Sequence, residues 1–158
     1  MQTLCDGGVE VCFANPGTSE MQLVAAIDKQ KKMRAILGLF EGVVTGAADG
    51  YGRMTDKPAV TLLHLGPGLA NGLANLHNAK RARTPLINIV GDHAVDHLKY
   101  NAPLTSDIIG VASPMSDWVR TSKSPSDLAT AGAEAIAFSQ SYPGSICTVS
   151  YTHLTLPT

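Results

Sequence analysis

Short apolar runs alternate along the chain with segments whose apolar residues have the spacing of a helix. The runs Val60-Thr61-Leu62-Leu63 and Leu86-Ile87-Asn88-Ile89-Val90 are almost continuously apolar, which is typical of parallel strands buried on both faces. The apolar runs predict strands over residues 9–13, 34–39, 59–65, 86–91, 118–120 and 145–149. This alternation predicts an α/β fold, a single three-layer domain with a parallel sheet of about six strands and helices on both faces.

Turn and capping residues predict where the helices begin. Pro16-Gly17 predicts a turn, and Ser19 with Gln22 has capping-box spacing, which predicts a helix from residue 19 to about residue 31. Further helices are predicted over residues 71–83 and 127–141, and residues 1–7 are expected to be the end of a longer helix. This order of elements predicts a flavodoxin-like topology.

Composition limits the number of domains and the kinds of partner. At 158 residues the chain is long enough for one domain with a substantial core. Charged residues make up 16%, against about a quarter in ordinary domains, and the formal net charge is -1. Such a balance offers no basic surface to nucleic acid or to an acidic membrane. A hydrophobic content of 44% indicates that another subunit or domain covers part of the surface.

The cysteines and the terminal residues bear on the compartment. Cys5, Cys12 and Cys147 are odd in number and show no Cys-x-x-Cys spacing, so they are interpreted as reduced, packed thiols. No apolar stretch approaches the roughly 20 residues that span a bilayer, and the N-terminus has no signal-peptide pattern. We therefore expect a cytoplasmic protein with no membrane partner.

Glu41 is a lone carboxylate that follows the apolar residues 35–40, which are interpreted as buried interior. A carboxylate in such surroundings finds a partner, holds a proton or takes part in chemistry, although its position also suits a helix cap. The three glycines Gly42, Gly46 and Gly50 then share one helical face. Because each interior glycine costs a helix up to about 1 kcal/mol relative to alanine, we expect another backbone or a ligand to approach closely there.

Three loops are expected at the carboxyl ends of strands, where open parallel sheets bind ligands. They are residues 15–18, the Phe40-Glu41 junction and the glycine-rich residues 64–72. The last has Gly-x-Gly-x-x-x-Gly spacing, which departs from the dinucleotide fingerprint and favours a structural glycine turn over a phosphate site. A nucleotide-binding oxidoreductase stays open as an alternative on this motif alone.

The histidines allow two further interpretations. His93 and His97 have the i, i+4 spacing that can chelate a metal on a helix, but with no third ligand in the sequence pattern no metal site is predicted. His64 ends a predicted strand just before the glycine-rich loop. There it is either a satisfied, half-buried side chain or a site residue.

Together, three motifs resemble a known family. The motifs are Asn15-Pro16-Gly17-Thr18-Ser19-Glu20, then Glu41 with Ala47-Ala48-Asp49-Gly50-Tyr51-Gly52-Arg53, then Gly66-Pro67-Gly68 with Asn71. In this order and spacing they look like the N-terminal pyrimidine-binding domain of thiamine-diphosphate-dependent enzymes, similar above all to acetolactate synthase large subunits. The resemblance covers residues 7–148. It implies a pyrimidine-binding domain over residues 1–149, truncated at its N-terminus and lacking its C-terminal domains, and a non-family tail over residues 150–158.

The resemblance implies roles for particular residues. In this family the glutamate that matches Glu41 is catalytic: it hydrogen-bonds N1′ of the aminopyrimidine and promotes the imino tautomer that removes the thiazolium C2 proton. His64 stands where benzoylformate-decarboxylase-like members have an active-site histidine, and with Thr18 and His93 it is expected to face the substrate. The residues implied to contact the cofactor are Asn15, Pro16, Gly17, Glu41, Gly66, Pro67, Gly68 and Asn71. The implied reaction decarboxylates a 2-oxo acid and ligates or releases the product.

The chain also departs from the family. Acetolactate synthases usually have an aromatic residue at position 15 and no histidine at position 64, which leaves the product and the use of FAD open. The family holds the diphosphate through Mg2+ at a Gly-Asp-Gly motif in a C-terminal domain, and this chain has no such motif. Because the family's active sites lie between subunits, the resemblance implies a homo-oligomer, with the Gly42/Gly46/Gly50 face at a subunit boundary, and an inactive isolated chain. A non-catalytic dimerising or regulatory module is the alternative.

Overall fold

The structure is a computed structural model that describes residues 1–152. Its sheet has six strands in the spatial order β2-β1-β3-β4-β6-β5, and all five neighbouring pairs are parallel. The strands are β1 (Val11–Asn15), β2 (Arg34–Leu37), β3 (Ala59–Leu63), β4 (Leu86–Asp92), β5 (Trp118–Ser122) and β6 (Ile146–Thr152). The predicted α/β class and parallel sheet are therefore confirmed, because every predicted strand exists with ends shifted by a few residues.

Helices cover both faces of this sheet. They are α1 (Gln2–Asp6), α2 (Met21–Asp28), α3 (Glu41–Thr55), α4 (Leu65–Ala82), α5 (Ile108–Ala112) and α6 (Pro125–Ser139), with 3₁₀ turns at Thr18–Glu20 and Leu98–Tyr100. Strand side chains alternate between the two faces of the sheet, so a buried strand contributes residues to two separate hydrophobic cores. In β3, Val60 and Leu62 pack with α1, α2 and α6. Ala59 and Leu63 pack with α3, α4 and α5 on the other face.

The helix α4 begins six residues earlier than the sequence predicts. Gly66-Pro67-Gly68, which was predicted to be a turn, forms part of its first turn. Proline is tolerated there because the first N–H groups of a helix have no partner within the helix. The predicted glycine turn is therefore wrong, and the glycines need a different explanation, which their neighbours supply.

The start of the first predicted helix is also corrected. Residues 18–20 form a 3₁₀ turn, and α2 follows from Met21 to Asp28 instead of reaching residue 31. The capping contact joins Gly17 and Glu20, because the Gly17 N–H donates to Glu20 Oε2 at 2.7 Å. Ser19 and Gln22 have the same spacing two residues later, so the sequence pattern alone could not choose between the two pairs.

The apolar run before Glu41 is largely exposed, contrary to its interpretation as buried interior. Leu37, Leu39 and Phe40 are 69%, 91% and 49% exposed. The reason is that β2 is an edge strand, and within residues 1–152 no strand pairs with its outer side. Apolar composition indicates that a segment is to be covered, but not whether the cover belongs to the same chain.

The glycine face of α3 mostly packs within the chain instead of presenting one continuous surface to a partner. A side chain at Gly46 would stand 3.1 Å from Nδ2 of Asn75 on α4, whereas one at Gly50 would meet nothing within 4 Å. Asn75 donates to the Gly42 carbonyl oxygen at 2.6 Å. The group that approaches Gly42 and Gly46 from α4 is therefore the Asn75 side chain and not another backbone, and Gly50 is open among the described residues.

Two further findings concern the ends of the described chain and membranes. Strand β6 extends to Thr152, and the Tyr151 side chain is buried in the core. Positions 153–158 of the predicted tail lie outside the described residues. Within residues 1–152 no helix combines the length and the apolarity needed to cross a bilayer.

Candidate functional site

The site lies at the carboxyl edge of the parallel sheet. Strand β1 lies between β2 and β3. The connection that leaves β1 therefore leads to one side of the sheet, and the connection that leaves β3 leads to the other side, so the order of the strands reverses between β1 and β3. Such a reversal opens a crevice at the strand ends, which is where open α/β sheets bind ligands. Asn15 ends β1, Glu41 follows β2 and His64 follows β3, and the topology therefore brings these three residues to one edge.

Glu41 is the first residue of α3 and is 8% exposed. Its Oε2 atom accepts a hydrogen bond of 3.0 Å from Nδ2 of Asn71 on α4. A helix N-terminus favours a negative charge, and here the N-terminal turn of α4 lies beside that of α3. Glu41 thus links two helices, and a cap of its own helix does not account for the contact with Asn71.

Gly68 leaves room for the Glu41 carboxylate. A side-chain carbon at position 68 would stand 3.0 Å from Glu41 Oε1 and 3.5 Å from its carboxyl carbon. Gly66 has a comparable reason to lack a side chain, because Ser106 occupies the space. With a carboxylate at the N-terminus of α4, that terminus is a poor place for a pyrophosphate, so the dinucleotide alternative loses its basis.

The backbone at the start of α4 is strained. Leu65 has φ +54° although it is not glycine, and its side chain is 1% exposed. A left-handed residue of this kind costs about 1–2 kcal/mol, and such strain tends to occur at functional sites. It lies directly between His64 and the glycines of α4, so the tertiary structure holds this junction in a defined shape.

His64 is half-buried at the end of β3 and pairs with Glu20, which the sequence motifs do not indicate as a site residue. Its Nδ1 lies 2.8 Å from Oε2 of Glu20, a carboxylate that is fully buried. Any side chain at Gly17 would collide with the His64 ring, so the glycine is needed for the pair. Glu20 could have been found from the Gly17-x-x-Glu20 spacing, which is that of a capping contact.

Asn15, Pro16 and Thr18 lie on the same edge, along the connection from β1 to the 3₁₀ turn. Asn15 and Pro16 are half-buried and Thr18 is exposed. Pro16 also lines an apolar groove of about 280 Å³ beside β2. These three residues are therefore placed where the sequence analysis expected a binding loop.

His93 lies one strand further along, after Asp92 at the end of β4. Its backbone N–H donates to Asp92 Oδ1 at 2.7 Å, and its ring lies 5.5 Å from that of His97. Burial raises the pKa of the Asp92 carboxyl above its ordinary value. Within residues 1–152 no described hydrogen bond joins His93 to Glu41 or His64, and no three His, Cys, Asp or Glu side chains cluster as a metal would require.

The motif around Asp49 has a structural role. Asp49 is buried, accepts 2.9 Å and 2.7 Å hydrogen bonds from Arg53, and accepts another of 2.7 Å from Thr84. Gly52 gives Thr84 the room to approach. These residues fasten the C-terminal half of α3 to the segment before β4, and so hold the helix whose first residue is Glu41.

Comparison with known proteins identifies the family. The family described as "Thiamine pyrophosphate enzyme, N-terminal TPP binding domain" matches residues 1–111. The chain belongs to this family. Its members bind thiamine pyrophosphate, the same compound as thiamine diphosphate, through this domain. The resemblance drawn from the three motifs is thereby confirmed.

Individual relatives are of two kinds. The chain is 61% identical over 141 residues to a candidate acetolactate synthase large subunit, IlvX, of Mycobacterium tuberculosis, covering 89% of this chain and 27% of that protein. It is 32% identical over 130 residues to benzoylformate decarboxylase of Pseudomonas aeruginosa, covering 82% and 24%. The solved benzoylformate decarboxylase of Polynucleobacter necessarius superposes with a TM-score of 0.90 at 26% identity, covering 99% and 30%. The chain thus spans about a quarter of the length of these curated relatives.

Proposed function

We propose that this thiamine-pyrophosphate-binding domain supplies the aminopyrimidine side of the active site of an enzyme that decarboxylates a 2-oxo acid and ligates or releases the product. The observation that carries the proposal is the buried Glu41 carboxylate, held by Asn71 where α3 and α4 begin. Relatives named acetolactate synthase large subunit and benzoylformate decarboxylase support this class of reaction.

The residues present fit an aminopyrimidine. Its ring nitrogens need a protonated or proton-sharing partner, and a carboxyl group with little access to water can hold a proton and return it. Gly68 has no side chain against Glu41 Oε1, which leaves that side of the carboxylate uncrowded. When bound, thiamine diphosphate would supply the nucleophilic thiazolium carbon and the electron sink for decarboxylation.

Within that site the chain's own residues have separate tasks. Glu41 holds or moves a proton at its carboxylate, and Asn71 fixes the orientation of that carboxylate through the 3.0 Å bond. The residues that would line the pyrimidine ring lie on the connection after β1 and in the first turn of α4; they are Asn15, Pro16, Gly17, Gly66, Pro67 and Gly68. His64, Thr18 and His93 lie on the edge that faces the substrate, and the 2-oxo acid is the substrate class.

The 158 residues of this chain contain no Gly-Asp-Gly motif for the diphosphate. We propose that a further domain holds it through Mg2+, and that the site is completed between subunits of a homo-oligomer. A surface formed by Leu37, Leu39, Phe40 and Val43, between 49% and 91% exposed, borders Glu41 and supports this arrangement. Covering such a surface would remove apolar area from water next to the carboxylate.

A cytoplasmic location is part of the proposal. Cys5, Cys12 and Cys147 are all free and buried, as expected in a reducing compartment. Burial raises the pKa of both Cys12 and Cys147 to about 12, so neither thiol is readily ionised. These cysteines therefore behave as packed core residues.

The proposal is tested by Glu41→Gln in the full-length protein. The measurement is the rate at which the C2 proton of bound thiamine diphosphate exchanges with deuterated solvent, followed by NMR after acid quench. We expect a decrease of about 10²–10⁴-fold, the usual contribution of a positioned acid or base. Glu134→Gln is the matched control, because Glu134 lies on α6 and pairs with Arg120 away from this edge. Exchange at the unaltered rate in Glu41→Gln would refute the proposal.

A second candidate function is a non-catalytic dimerising module, and the exposed apolar surface of β2 and α3 favours it. Gel filtration of the chain, with and without a separately expressed diphosphate-binding domain, distinguishes the two functions. Thiamine-dependent activity on mixing supports the enzyme. A stable, inert oligomer that ignores the added domain, and that Leu39→Asp dissociates, supports the module.

A further inference from the structure

The carboxylate of Glu20 is unusual for this chain because it is 0% exposed. Removing a carboxylate from water is costly unless hydrogen bonds replace the lost hydration. Glu20 ends the 3₁₀ turn Thr18–Glu20, and its side chain lies against Gly91 of β4. Capping a turn does not require a fully buried carboxylate, so the burial of Glu20 needs a further explanation.

Two nitrogen atoms lie within hydrogen-bond distance of one of its oxygens. Glu20 Oε2 accepts from the Gly17 backbone N–H at 2.7 Å and lies 2.8 Å from His64 Nδ1. The other oxygen, Oε1, is buried and has no hydrogen-bond partner among the described residues. An ionised carboxylate only accepts hydrogen bonds, so with Glu20 ionised the shared hydrogen is on Nδ1 of His64. The second ring nitrogen, Nε2, is then the one left for other contacts.

Four strands or their connections shape this pair. A side chain at Gly17 would collide with the His64 ring, and one at Gly91 would collide with Glu20 Oε1. Tyr151 on β6 donates its hydroxyl to the Ser19 carbonyl oxygen at 3.0 Å and so anchors the turn that carries Glu20. The Glu20 charge also contributes to raising the Tyr151 pKa, after burial, which is the larger cause. Contacts from several strands therefore fix the positions of Glu20 and His64, and the pair is preorganised.

We propose that Glu20 is a positioning residue: it holds His64 in the Nδ1–H tautomer and directs Nε2 of His64 into the crevice that Glu41 borders. This inference rests on the proposed function for the identity of the group that Nε2 meets, the carboxylate or oxo oxygen of a 2-oxo acid. Neutral Nε2 in this tautomer carries no hydrogen, so it first takes a proton from solvent; the imidazolium then donates a hydrogen bond, or the proton itself, to that oxygen while Nδ1–H stays on Glu20. Glu20 acts only through His64, since its own oxygens face Gly17, His64 and Gly91.

The first test measures the tautomer of His64 by long-range ¹⁵N–¹H NMR of the 158-residue chain. We expect the Nδ1–H signature in the unaltered chain. Glu20→Gln keeps an oxygen on Gly17 and His64 and is expected to retain the tautomer, whereas Glu20→Met removes the acceptor and is expected to mix in the Nε2–H form. His77, which is exposed on α4, is the internal control and should not change. A predominantly Nε2–H His64 in the unaltered chain would overturn the inference whether or not the Met variant folds.

The second test measures steady-state kinetics with a 2-oxo acid in the full-length protein. Glu20→Met is expected to lower kcat/KM about 10- to 100-fold, the usual effect of losing a residue that orients a functional side chain. The same variant should slow C2 proton exchange much less than it lowers kcat/KM, because the Glu41–Asn71 pair is not hydrogen-bonded to Glu20. In a double-mutant cycle, Glu20→Met should add little to His64→Ala, since both remove the same oriented Nε2. Additive losses would show that Glu20 acts on stability alone and would overturn the inference.

The two tests separate this inference from the proposed function. The NMR tautomer needs no cofactor, so it decides the role of Glu20 even if the full-length protein had no thiamine-dependent activity. Conversely, if C2 exchange depends on Glu41 while kcat/KM ignores Glu20, the proposed function stands and the inference fails.

Discussion

Replacing Gly68 by alanine should separate the stability of the fold from the geometry of the site. Gly68 lies in the first turn of α4, where alanine is a better helix former by up to about 1 kcal/mol. The new methyl carbon, however, would stand 3.0 Å from Glu41 Oε1, closer than an ordinary van der Waals contact. The carboxylate must therefore move by a few tenths of an ångström, and its bond with Asn71 must adjust with it.

The two effects have different sizes and different readouts. The propensity gain and the strain oppose each other, so we expect the free energy of unfolding to change by less than about 1 kcal/mol, or about 2–4 °C in Tm. A displacement of 1 Å at a reacting group can cost about 100-fold in rate, so a few tenths of an ångström should cost about 3- to 10-fold. C2 proton exchange of bound cofactor is expected to slow by that factor in the full-length protein.

Gly132→Ala is the matched control. Gly132 is also a helical glycine, in α6 on the other face of the sheet, and a side-chain carbon there would meet its nearest neighbour, Leu4, at 3.9 Å. The Gly132→Ala variant should be more stable than the unaltered protein, with no change in the rate of C2 proton exchange. If Gly68→Ala exchanged at the unaltered rate while remaining folded, the Glu41 carboxylate would not be held as tightly as the structure indicates, and the reasoning would be refuted.

Two further predictions concern the end of β4. Asp92→Asn should raise the free energy of unfolding at pH 7, because burial raises the pKa of Asp92 in the folded state and its charged form there opposes folding. This gain in stability should shrink as the pH falls to the ordinary aspartate range and vanish below it, where Asp92 is protonated in both the folded and the unfolded state. Urea titrations at pH 7 and pH 3.5 measure the gain. An equal gain at both pH values would contradict burial of the charge as its cause. Gly91→Ala should destabilise the chain by about 1–3 kcal/mol, since its methyl group would overlap the Glu20 carboxylate, and an unchanged urea midpoint would contradict that packing.

The sequence predicted the sheet well because buried parallel strands leave continuous apolar runs. Residues 60–63 and 86–90 illustrate this, since all nine positions are buried. The start of α4 could not be predicted in the same way. Glycine and proline favour turns on average, and only the neighbouring Glu41 and Ser106 explain why Gly66 and Gly68 occur inside a helix.

The candidate site was predicted in part. Glu41, Asn71 and His64 were selected from motifs, and the structure brings Asn71 to within 3.0 Å of Glu41. Glu20 was missed as a site residue although it stands in one of those motifs. Its partner His64 is 44 positions away in the sequence, and no local pattern indicates a contact between the residues that follow β1 and β3.

What the sequence by itself determined is the order of strands and helices, the apolar character of the core and the three motifs that indicate the family, because these depend on local spacing and residue type. Only the tertiary structure decided which polar groups meet. Glu41 with Asn71, and Glu20 with His64, are pairs between segments that become neighbours when parallel strands align their carboxyl ends. It also decided that the apolar residues before Glu41 lie on an open edge, because whether a residue is covered depends on what packs over it and not on its own hydrophobicity.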